Sequence, residues 1–563
     1  MFVKLTRSGP RTYVQLVESY RDDSGKPRQR TLATLGRADD PDGQVDALLN
    51  ALLRAKGRSP GDYTSPQVRF ESALALGDVW ALDELWRELG FHRLTAIFRR
   101  ARYTTPIEQA LRVMVFNRLC DPESKLGVLR WLQTVRIPSI QTDGLSHQQL
   151  LRSMDALMAH QAEVDECLAT LLRPLIDVEL SVIFYDLTTI RTEGLTKQTD
   201  DVRQFGMSKE GMVARQFMLG VVQTSDGLPI HHEVFDGNTA ESPTLMPTLQ
   251  AVLARFPHVR RLVVVADRGL LSIDNIEQMS ALKMPDGQSI EFILAVPGRR
   301  YADFEEILAP AQARAAQATE ELIEESQGQG YRLVLAHNPI KAAEQTALRD
   351  QRIAALEKRA NELVGKLDGQ DTGRTWRGRK LSDSGAKARF FHEVCEANLA
   401  RIVRVDLQSD LFSYDIDRRA LARARLMDGK LLLVSNVDDL SAAAIVERYK
   451  ALADIERGFR VLKSEIEIAP VFHRLPDRIR AHASLCFMAL ILYRVMRSRL
   501  RIAGSDQSPQ AVLANLRRIQ HHTITINDNP PVSGVSTVTQ GQAQALAALK
   551  VKKPIEGHQL SLL

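Results

Sequence analysis

Cysteine is scarce in this chain of 563 residues, and its four copies stand far apart, at Cys120, Cys167, Cys395 and Cys486. None forms a C-x-x-C pair, which excludes a zinc ribbon and argues against a disulfide framework. A signal peptide is not evident, because the first residues carry charge and no apolar segment. The longest strongly apolar run, residues 483–493, is far shorter than the roughly 20 residues that span a bilayer, so it predicts a buried helix.

A strong excess of one charge is also absent. Lys and Arg number 74 against 69 Asp and Glu, a net charge of +5. This balance neither requires nor excludes nucleic acid, because binding depends on where basic residues cluster. The composition, 44% hydrophobic and 25% charged, is globular and excludes a disordered or collagen-like chain. We therefore expect a soluble, cytoplasmic protein of roughly three or four domains with no membrane span.

Two segments precede the most informative part of the sequence. We expect residues 1–60 to form a small β-rich N-terminal module. On both sides of a turn at 22–27, successive side chains alternate between two faces, as they do in a strand. Residues 70–178 predict a helical domain, a candidate for DNA binding. Two of its helices are consistent with a helix-turn-helix or with an ordinary helical hairpin, which we favour. The DNA-binding interpretation expects four cations on the surface: Arg112, Arg118, Lys125 and Arg130.

Residues 179–298 predict the first part of an α/β core. Strands and helices follow in the order β-β-β-α-β-α-β, which gives a mixed sheet with helices on its faces. Residues 299–440 interrupt this core as an α+β insertion that contains a long charged helix. Residues 441–502 predict its second part, with a helix that begins near Ser441 and runs past Lys463. Residues 503–563 predict a helical C-terminal region and tail.

Three carboxylates stand out in this core. Asp186 and Asp267 each follow a predicted central strand, where side chains project into the crevice of an open α/β sheet. Each one alone is more often a turn former or a helix cap. The third is Glu456, which lies beside the apolar stripe of its helix. Tyr449 and Lys463 stand seven residues before and after it, so they line up along the same flank.

Three carboxylates on adjacent elements suit a pair of Mg²⁺ ions, with Mn²⁺ as a possible substitute, because these ions prefer oxygen ligands. Two such ions about 4 Å apart can stabilise the attacking and leaving oxygens of a phosphoryl transfer. A zinc site is less favoured. His231 and His232 are adjacent on a predicted strand and must point to opposite faces, so they cannot both bind one metal.

The segments FYDLTT around Asp186 and VVVADRGLLS around Asp267 resemble the DDE transposases of bacterial insertion sequences. The third segment, Tyr449-x6-Glu456-x6-Lys463, resembles the branch with the Tyr-Arg-Glu-Lys signature, Y-x2-R-x3-E-x6-K. The resemblance covers residues 179–497 and implies a ribonuclease-H-like catalytic core.

The resemblance also implies roles for individual residues. Asp186, Asp267 and Glu456 would bind the metal ions and carry catalysis, and Tyr449 and Lys463 would contact the phosphates of the element's end. The sequence departs from the signature at one position, where Leu452 replaces the arginine. We expect a neighbouring cation, Arg460 or Lys450, to supply that phosphate contact.

A local excess of basic residues in the insertion surrounds one aromatic residue, Trp376. Such a segment either binds DNA, with the ring stacked on an unpaired base, or forms a solvated loop that the ring anchors. The sequence favours neither interpretation. The basic residues in question are Arg374, Arg377, Arg379 and Lys380.

These features together predict a DNA transposase that cleaves the ends of its element and transfers the freed strands into target DNA. Its partners would be double-stranded DNA, both element ends and target, and a second copy of the chain in the DNA complex. One alternative is a ribonuclease-H-like nuclease without strand transfer. Another is a DNA-binding regulator that has lost catalysis, which the complete acidic triad argues against.

Overall fold

The computed structural model describes residues 1–554 with gaps at 40–43, 58–67, 139, 141–143, 177–180, 195, 208–212, 268–272, 285–286, 305–309, 311–313, 315–317, 329, 372–380 and 527–528. The described chain forms two compact units. The smaller comprises residues 1–73 and 521–536, and the larger comprises residues 74–520 and 537–554. The finer division into six segments stays a prediction.

The smaller unit is built mainly from short antiparallel strands. Strands β1 (Phe2–Ser8), β2 (Arg11–Arg21) and β3 (Pro27–Arg37) form one sheet, followed by helix α1 (Gln44–Ala55). The turn at 22–27 is stabilised by Asp22, whose carboxylate accepts hydrogen bonds from the backbone N–H groups of Ser24 and Lys26. A second sheet contains β4 (Val68–Ala75), β16 (Gln520–Ile526) and β17 (Val532–Val535). The C-terminal region therefore contains strands as well as the expected helices.

A layer of helices opens the larger unit and surrounds one long helix from the far end of the chain. The layer consists of α2 (Gly77–Leu89), α3 (Leu94–Arg100), α4 (Ile107–Cys120), α5 (Lys125–Leu132), α6 (His147–Ala159) and α7 (Gln161–Leu172). Helix α15 (Pro476–Ile502) packs against α4 and α6. It is long and apolar enough to span a bilayer, but 89% of its most apolar window is buried inside the protein. It is thus a core helix, as the sequence predicts.

Three of the four cations expected on the surface of this layer are buried. Arg112 forms ion pairs with Asp83 and Glu108, at 2.7 and 2.9 Å. The exposed fractions of Arg118 and Lys125 are only 6% and 7%. The prediction that these three residues face solvent is wrong, because α4 is covered by α2, α6 and α15, and α5 packs against α4 and α6. Their positions favour the ordinary helical hairpin.

The centre of the larger unit is a mixed sheet of nine strands among the described residues. Its strands are β5 (Ser181–Arg191), β6 (Gln204–Met207), β7 (Val213–Thr224), β8 (Pro229–Asp236), β9 (Leu262–Ala266), β10 (Glu291–Ala295), β11 (Leu322–Gly328), β12 (Tyr331–His337) and β15 (Lys430–Ser435). Helices α8 (Leu245–Arg255) and α9 (Ile273–Ala281) connect β8 to β9 and β9 to β10. Strands β5, β9 and β10 are parallel, while β7 and β8 are antiparallel additions. This confirms the predicted ribonuclease-H-like fold class.

The insertion is joined to this sheet rather than separate from it. Strand β15 pairs antiparallel with both β10 and β12, so β11, β12 and β15 extend the core sheet. The rest of the insertion has its own apolar cluster, centred on Phe390, Leu363 and Val403. Its elements are α10 (Pro339–Asp371), α11 (Asp383–Glu396), β13 (Val403–Val405), β14 (Tyr414–Ile416) and α12 (Arg418–Met427).

The helix expected to run without a break past Lys463 is two helices. Helix α13 (Ala442–Lys450) is capped by the Ser441 hydroxyl, which accepts a hydrogen bond from the N–H of Ala444, as a start near Ser441 requires. The chain then turns at Ala451 and Leu452 before α14 (Ala453–Ser464). Leu452 is buried at this turn. Helices α16 (Pro509–Leu516) and α17 (Gln540–Ala548) complete the larger unit.

Candidate active site

Two of the predicted acids are brought together at the centre of the sheet. Strands β5 and β9 are parallel, and Tyr185 is paired with Ala266. The next residues along the two strands, Asp186 and Asp267, therefore stand at the same level. Adjacent strands lie about 4.8 Å apart. Asp186 is partly buried and Asp267 is exposed, so the pair forms the edge of a surface crevice rather than a sealed site.

The backbone around Asp186 is held by the core beneath it. Its Oδ1 accepts a 2.7 Å hydrogen bond from the N–H of Leu187. The preceding residue, Tyr185, is fully buried, and its hydroxyl donates to Oγ1 of Thr244 across 2.8 Å. Burial raises the pKa of the Tyr185 hydroxyl above its usual range, so this group stays a neutral donor. The strand that carries Asp186 is thus anchored one residue before the acid.

Asp267 has a partner that the sequence pattern does not reveal. The hydroxyl of Tyr449 donates a hydrogen bond of 3.0 Å to Asp267 Oδ1. Tyr449 reaches this position because α13 packs across β9 and β10. The predicted contact between Tyr449 and DNA phosphate stays a prediction. In the DNA-free protein its hydroxyl lies against a carboxylate instead.

Helix α14 brings the backbone of Glu456 close to the same strands. The helix packs on β5 and buries Phe459 and Leu462, and Ile466 is buried two residues past its end. These are three of the four residues of the predicted apolar stripe. The side chains of Ile455 and Glu456 lie outside the described residues.

A glycine allows α14 to approach the sheet closely. A Cβ atom on Gly458 would lie 2.6 Å from Nε2 of Gln223, a fully buried residue of β7. Gln223 is paired with Phe184, two residues before Asp186. The turn of helix that contains position 456 is therefore held against the strand that carries the first acid.

The predicted phosphate-binding cations have different surroundings. Lys463 is partly buried and Arg460 is exposed on α14. Lys450 is exposed at the end of α13, where its ammonium forms a 2.6 Å ion pair with Glu321. The hypothesis that Arg460 or Lys450 replaces the missing signature arginine stays a prediction. The basic segment with Trp376, Arg374, Arg377, Arg379 and Lys380 lies outside the described residues.

A cleft of about 570 Å³ opens beside Asp267 and Tyr449. Its opposite wall comes from the insertion and carries three cations that the sequence analysis missed: Lys341, Arg349 and Lys430. Arg349 is ion-paired with Asp428, whereas burial lowers the pKa of the Lys430 ammonium. No local pattern predicts this wall, because it depends on the pairing of β12 with β15.

The adjacent histidines have opposite surroundings, as expected. His232 stacks on Phe487 with ring centroids 4.3 Å apart, and its Nε2 lies 3.0 Å from the Ser484 hydroxyl. Burial lowers the pKa of His232 to about 3. His231 faces Arg255 instead. The two rings therefore face different helices, α15 for His232 and α8 for His231.

The acids fit a magnesium site by their chemistry. Among the described side chains, no group of three or more His, Cys, Asp and Glu residues is gathered as a metal cluster. Asp186 and Asp267 nevertheless offer carboxylate oxygens at one level of two adjacent central strands. Mg²⁺ keeps several waters and is often bound by one or two carboxylates together with substrate phosphates. Two neighbouring carboxylates beside a cleft lined by cations meet that requirement.

Comparisons with known proteins give two matches along the chain. Residues 179–492 match the family model described as the transposase DDE domain. Residues 3–66 match the model of the IS1634 family transposase N-terminal domain. The first match covers more than half of the chain and includes both aspartates and Glu456. A search of curated proteins found no match.

Proposed function

The chain belongs to the DDE transposase family, whose members are metal-dependent enzymes that act on DNA, and from this premise we propose how it acts. It cleaves DNA at the two ends of an insertion sequence and joins the freed 3′-hydroxyls to target DNA. The observation that carries this proposal is the pairing of β5 with β9, which brings Asp186 and Asp267 to the same level.

Asp186, Asp267 and Glu456 would hold two Mg²⁺ ions, with Mn²⁺ as a substitute. When bound, the ions would supply charge neutralisation at the phosphate and lower the pKa of the attacking hydroxyl. The chain's own part is to position these carboxylates. Asp186 is oriented by the N–H of Leu187, and Asp267 by the hydroxyl of Tyr449. Such preorganisation reduces the reorganisation that the reaction requires.

The cations around these acids would bind the phosphates of the DNA. Lys463 and Arg460 on α14, and Lys450 at the end of α13, would contact the backbone of the element's end. Tyr449 would join them once DNA enters the cleft. The segment with Trp376, Arg374, Arg377, Arg379 and Lys380 would add basic contacts from the insertion, with the indole ring stacked on an unpaired base. Cationic contacts of this kind position a duplex without reading its sequence.

Strand transfer separates this proposal from a simple nuclease. The purified full-length protein is incubated with Mg²⁺, pre-cut duplexes from the DNA that flanks its gene, and a supercoiled target plasmid. A transposase joins the duplex ends to the plasmid, whereas a nuclease yields nicked or linear plasmid without joined product. Because two ends must meet in one complex, we expect at least a dimer of the chain on the DNA.

The control for this experiment is the variant Asp186→Asn with Asp267→Asn. It keeps the shape of both side chains but removes their charge, so it should bind the duplex and form no joined product. Joining by this double variant at the wild-type rate would disprove the assignment of the acids. A wild-type protein that binds the duplexes but neither cuts nor joins them would favour the alternative of a regulator without catalysis.

A further inference from the structure

A second cleft, of about 770 Å³, lies in the larger unit between the helical layer and the segment 467–475 that connects α14 to α15. The described residues that line it include four cations and two acids: Arg118, Lys125, Arg474, Arg478, Glu123 and Glu467. Arg478 is already neutralised by Asp155, through hydrogen bonds of 2.7 and 2.8 Å. The remaining cations include Arg118 and Lys125, two of the four that were expected on the surface.

Arg118 and Lys125 are deeply buried in the wall of this cleft, at 6% and 7% exposure. Arg118 donates to the backbone carbonyls of Glu123 and Glu467, but its Nε is buried without a partner. Among the described residues, the Lys125 ammonium has neither an ion pair nor a hydrogen bond. Burying an uncompensated cation is costly. Burial lowers the pKa of Arg118, but the charges of Glu467 and Glu123 oppose that shift, so Arg118 is partly compensated. Lys125 has no such carboxylate partner among the described residues, so it is the cation that an anion in the cleft would compensate.

The other titratable groups around Lys125 do not compensate it. Burial and the neighbouring Lys125 lower the pKa of His473 to about 3, and the pKa of His482 falls well below its usual value for the same reasons. Burial raises the pKa of the Cys486 thiol to about 11. These three groups are therefore neutral near pH 7. Burial, together with Arg118, lowers the pKa of Lys125 to about 7.

This cleft lies along the continuation of the strand that carries Asp186. The N–H of Val471 donates to the carbonyl of Arg191, and the N–H of Glu193 donates to the carbonyl of Val471. Thr192, paired with Val471, is six positions beyond Asp186, a distance of about 20 Å along an extended strand. A DNA strand advances about 3.4 Å per nucleotide. A DNA strand that followed β5 would cover this distance in roughly six nucleotides.

We propose that this cleft binds a backbone phosphate of the DNA substrate, roughly six nucleotides from the cleaved bond, on Lys125, Arg118 and Arg474. Phe472 is 69% exposed in the same lining, and its ring contacts the adjoining sugar or base. The proposal rests on the proposed function, since it takes DNA as the substrate. The phosphate contact would anchor the duplex at a point remote from Asp186 and Asp267. It would thereby determine which phosphate of the DNA lies against these acids.

The test measures DNA binding without Mg²⁺, so that it does not depend on catalysis. The full-length protein is titrated against a fluorescent duplex from the flanking DNA, at several salt concentrations. Lys125→Met and Arg474→Ala should each weaken binding about five- to tenfold. Each should also reduce the slope of log K against log salt by about 0.9, the value for one phosphate. The matched control is Lys283→Met, at an exposed lysine outside the cleft lining, which should change neither quantity.

Ethylation of single phosphates locates the contact. In the wild type, ethylation about six nucleotides from the cleavage site should interfere with binding, and Lys125→Met should abolish that interference alone. Arg474 is exposed, so Arg474→Ala should fold. This variant still tests the cleft if Lys125→Met does not fold.

Three outcomes would overturn the proposal. Wild-type affinity and salt slope in both cleft variants would refute the cleft while the transposase proposal stands. Failure of the wild type to bind any flanking duplex would refute both. If inorganic phosphate stabilises the wild type against heat but not Lys125→Met, and DNA binding is equal in the two, the ligand is free phosphate and not DNA.

Discussion

The Tyr449 hydroxyl donates its hydrogen bond to Oδ1 of Asp267 across 3.0 Å, and the two residues are 182 positions apart in the chain. This bond connects α13 to the end of β9. Both residues line the cleft beside the acids. A hydrogen-bonded partner of this kind orients a metal-binding carboxylate, and losing such partners typically costs about 10–100-fold in metal affinity or activity.

Tyr449→Phe removes this hydroxyl and keeps the ring. We expect the Mg²⁺ concentration for half-maximal cleavage to rise about tenfold or more, while DNA affinity measured without metal falls only about two- to threefold, because the hydroxyl would be one phosphate contact among several. A metal titration of the cleavage rate, paired with a binding assay, checks this. If the variant loses DNA affinity and keeps its metal dependence, Tyr449 acts mainly on phosphate, as the resemblance implied.

Gly458 determines how closely α14 packs on the sheet. In Gly458→Ala the new methyl group would meet the buried Gln223 amide at 2.6 Å and the Arg494 guanidinium at 2.9 Å. Overpacking of this kind typically costs about 1–3 kcal/mol, and a shift of about 1 Å in a catalytic group can cost 100-fold in rate. We therefore expect cleavage to fall at least tenfold while the protein stays folded.

The matched control is Gly365→Ala in α10, where a Cβ would meet no atom within 4 Å. An alanine in an exposed helix should stabilise it by about 0.5–1 kcal/mol and leave cleavage unchanged. The measurements are the cleavage rate per folded molecule and the melting temperature. Equal rates in the two variants would show that the position of α14 does not limit catalysis.

The missing signature arginine gives a third prediction. Lys450 is ion-paired with Glu321, whereas the described residues show no ion pair for the exposed Arg460. Arg460→Ala should therefore weaken end binding and cleavage more than Lys450→Ala does, and should reduce the salt slope by about 0.9. If Arg460→Ala cleaves normally while Glu456→Ala is inactive, Arg460 does not replace the signature arginine.

The features predicted correctly from the sequence depend on local patterns. Asp267 directly follows a short apolar strand, as predicted. Asp186 was expected at a strand end but lies within β5, which continues to Arg191; the predicted proximity of the two acids rests on the parallel pairing of β5 with β9. The apolar stripe of α14 follows directly from helical periodicity. The strand before Asp267 and this stripe need no information about distant parts of the chain.

The features that the sequence analysis missed arise from distant contacts. Arg118 and Lys125 are buried because α15 and the segment around Glu467, about 350 residues later, cover them. The insertion extends the core sheet because β15 pairs with β10 across more than 130 intervening residues. The contact between Tyr449 and Asp267 depends on both the turn at Leu452 and the packing of α13. Periodicity within a window of residues contains none of this information.

Lys125 should make the DNA-free protein less stable at neutral and acidic pH than it would be with an apolar residue there. The pKa of Lys125 in the native protein is about 7, below the usual 10.5. Burial lowers this pKa most and the nearby Arg118 lowers it further, while Cys486 opposes the shift. Between these two values the unfolded chain binds a proton that the native chain does not, so this contribution to stability rises with pH. Below pH 7 the full cost of burying the charge remains.

Lys125→Met should therefore raise the melting temperature, most at pH 6 and progressively less toward pH 10. Each pKa unit corresponds to about 1.4 kcal/mol, so the gain at pH 6 is on the order of a few kcal/mol. Thermal unfolding of both proteins at pH 6, 8 and 9.5 measures it. A gain that does not change with pH would mean that Lys125 is charged and compensated in the native protein. A gain that shrinks with pH, accompanied by weaker DNA binding, would mean that the buried cation is retained for its ligand at the expense of stability.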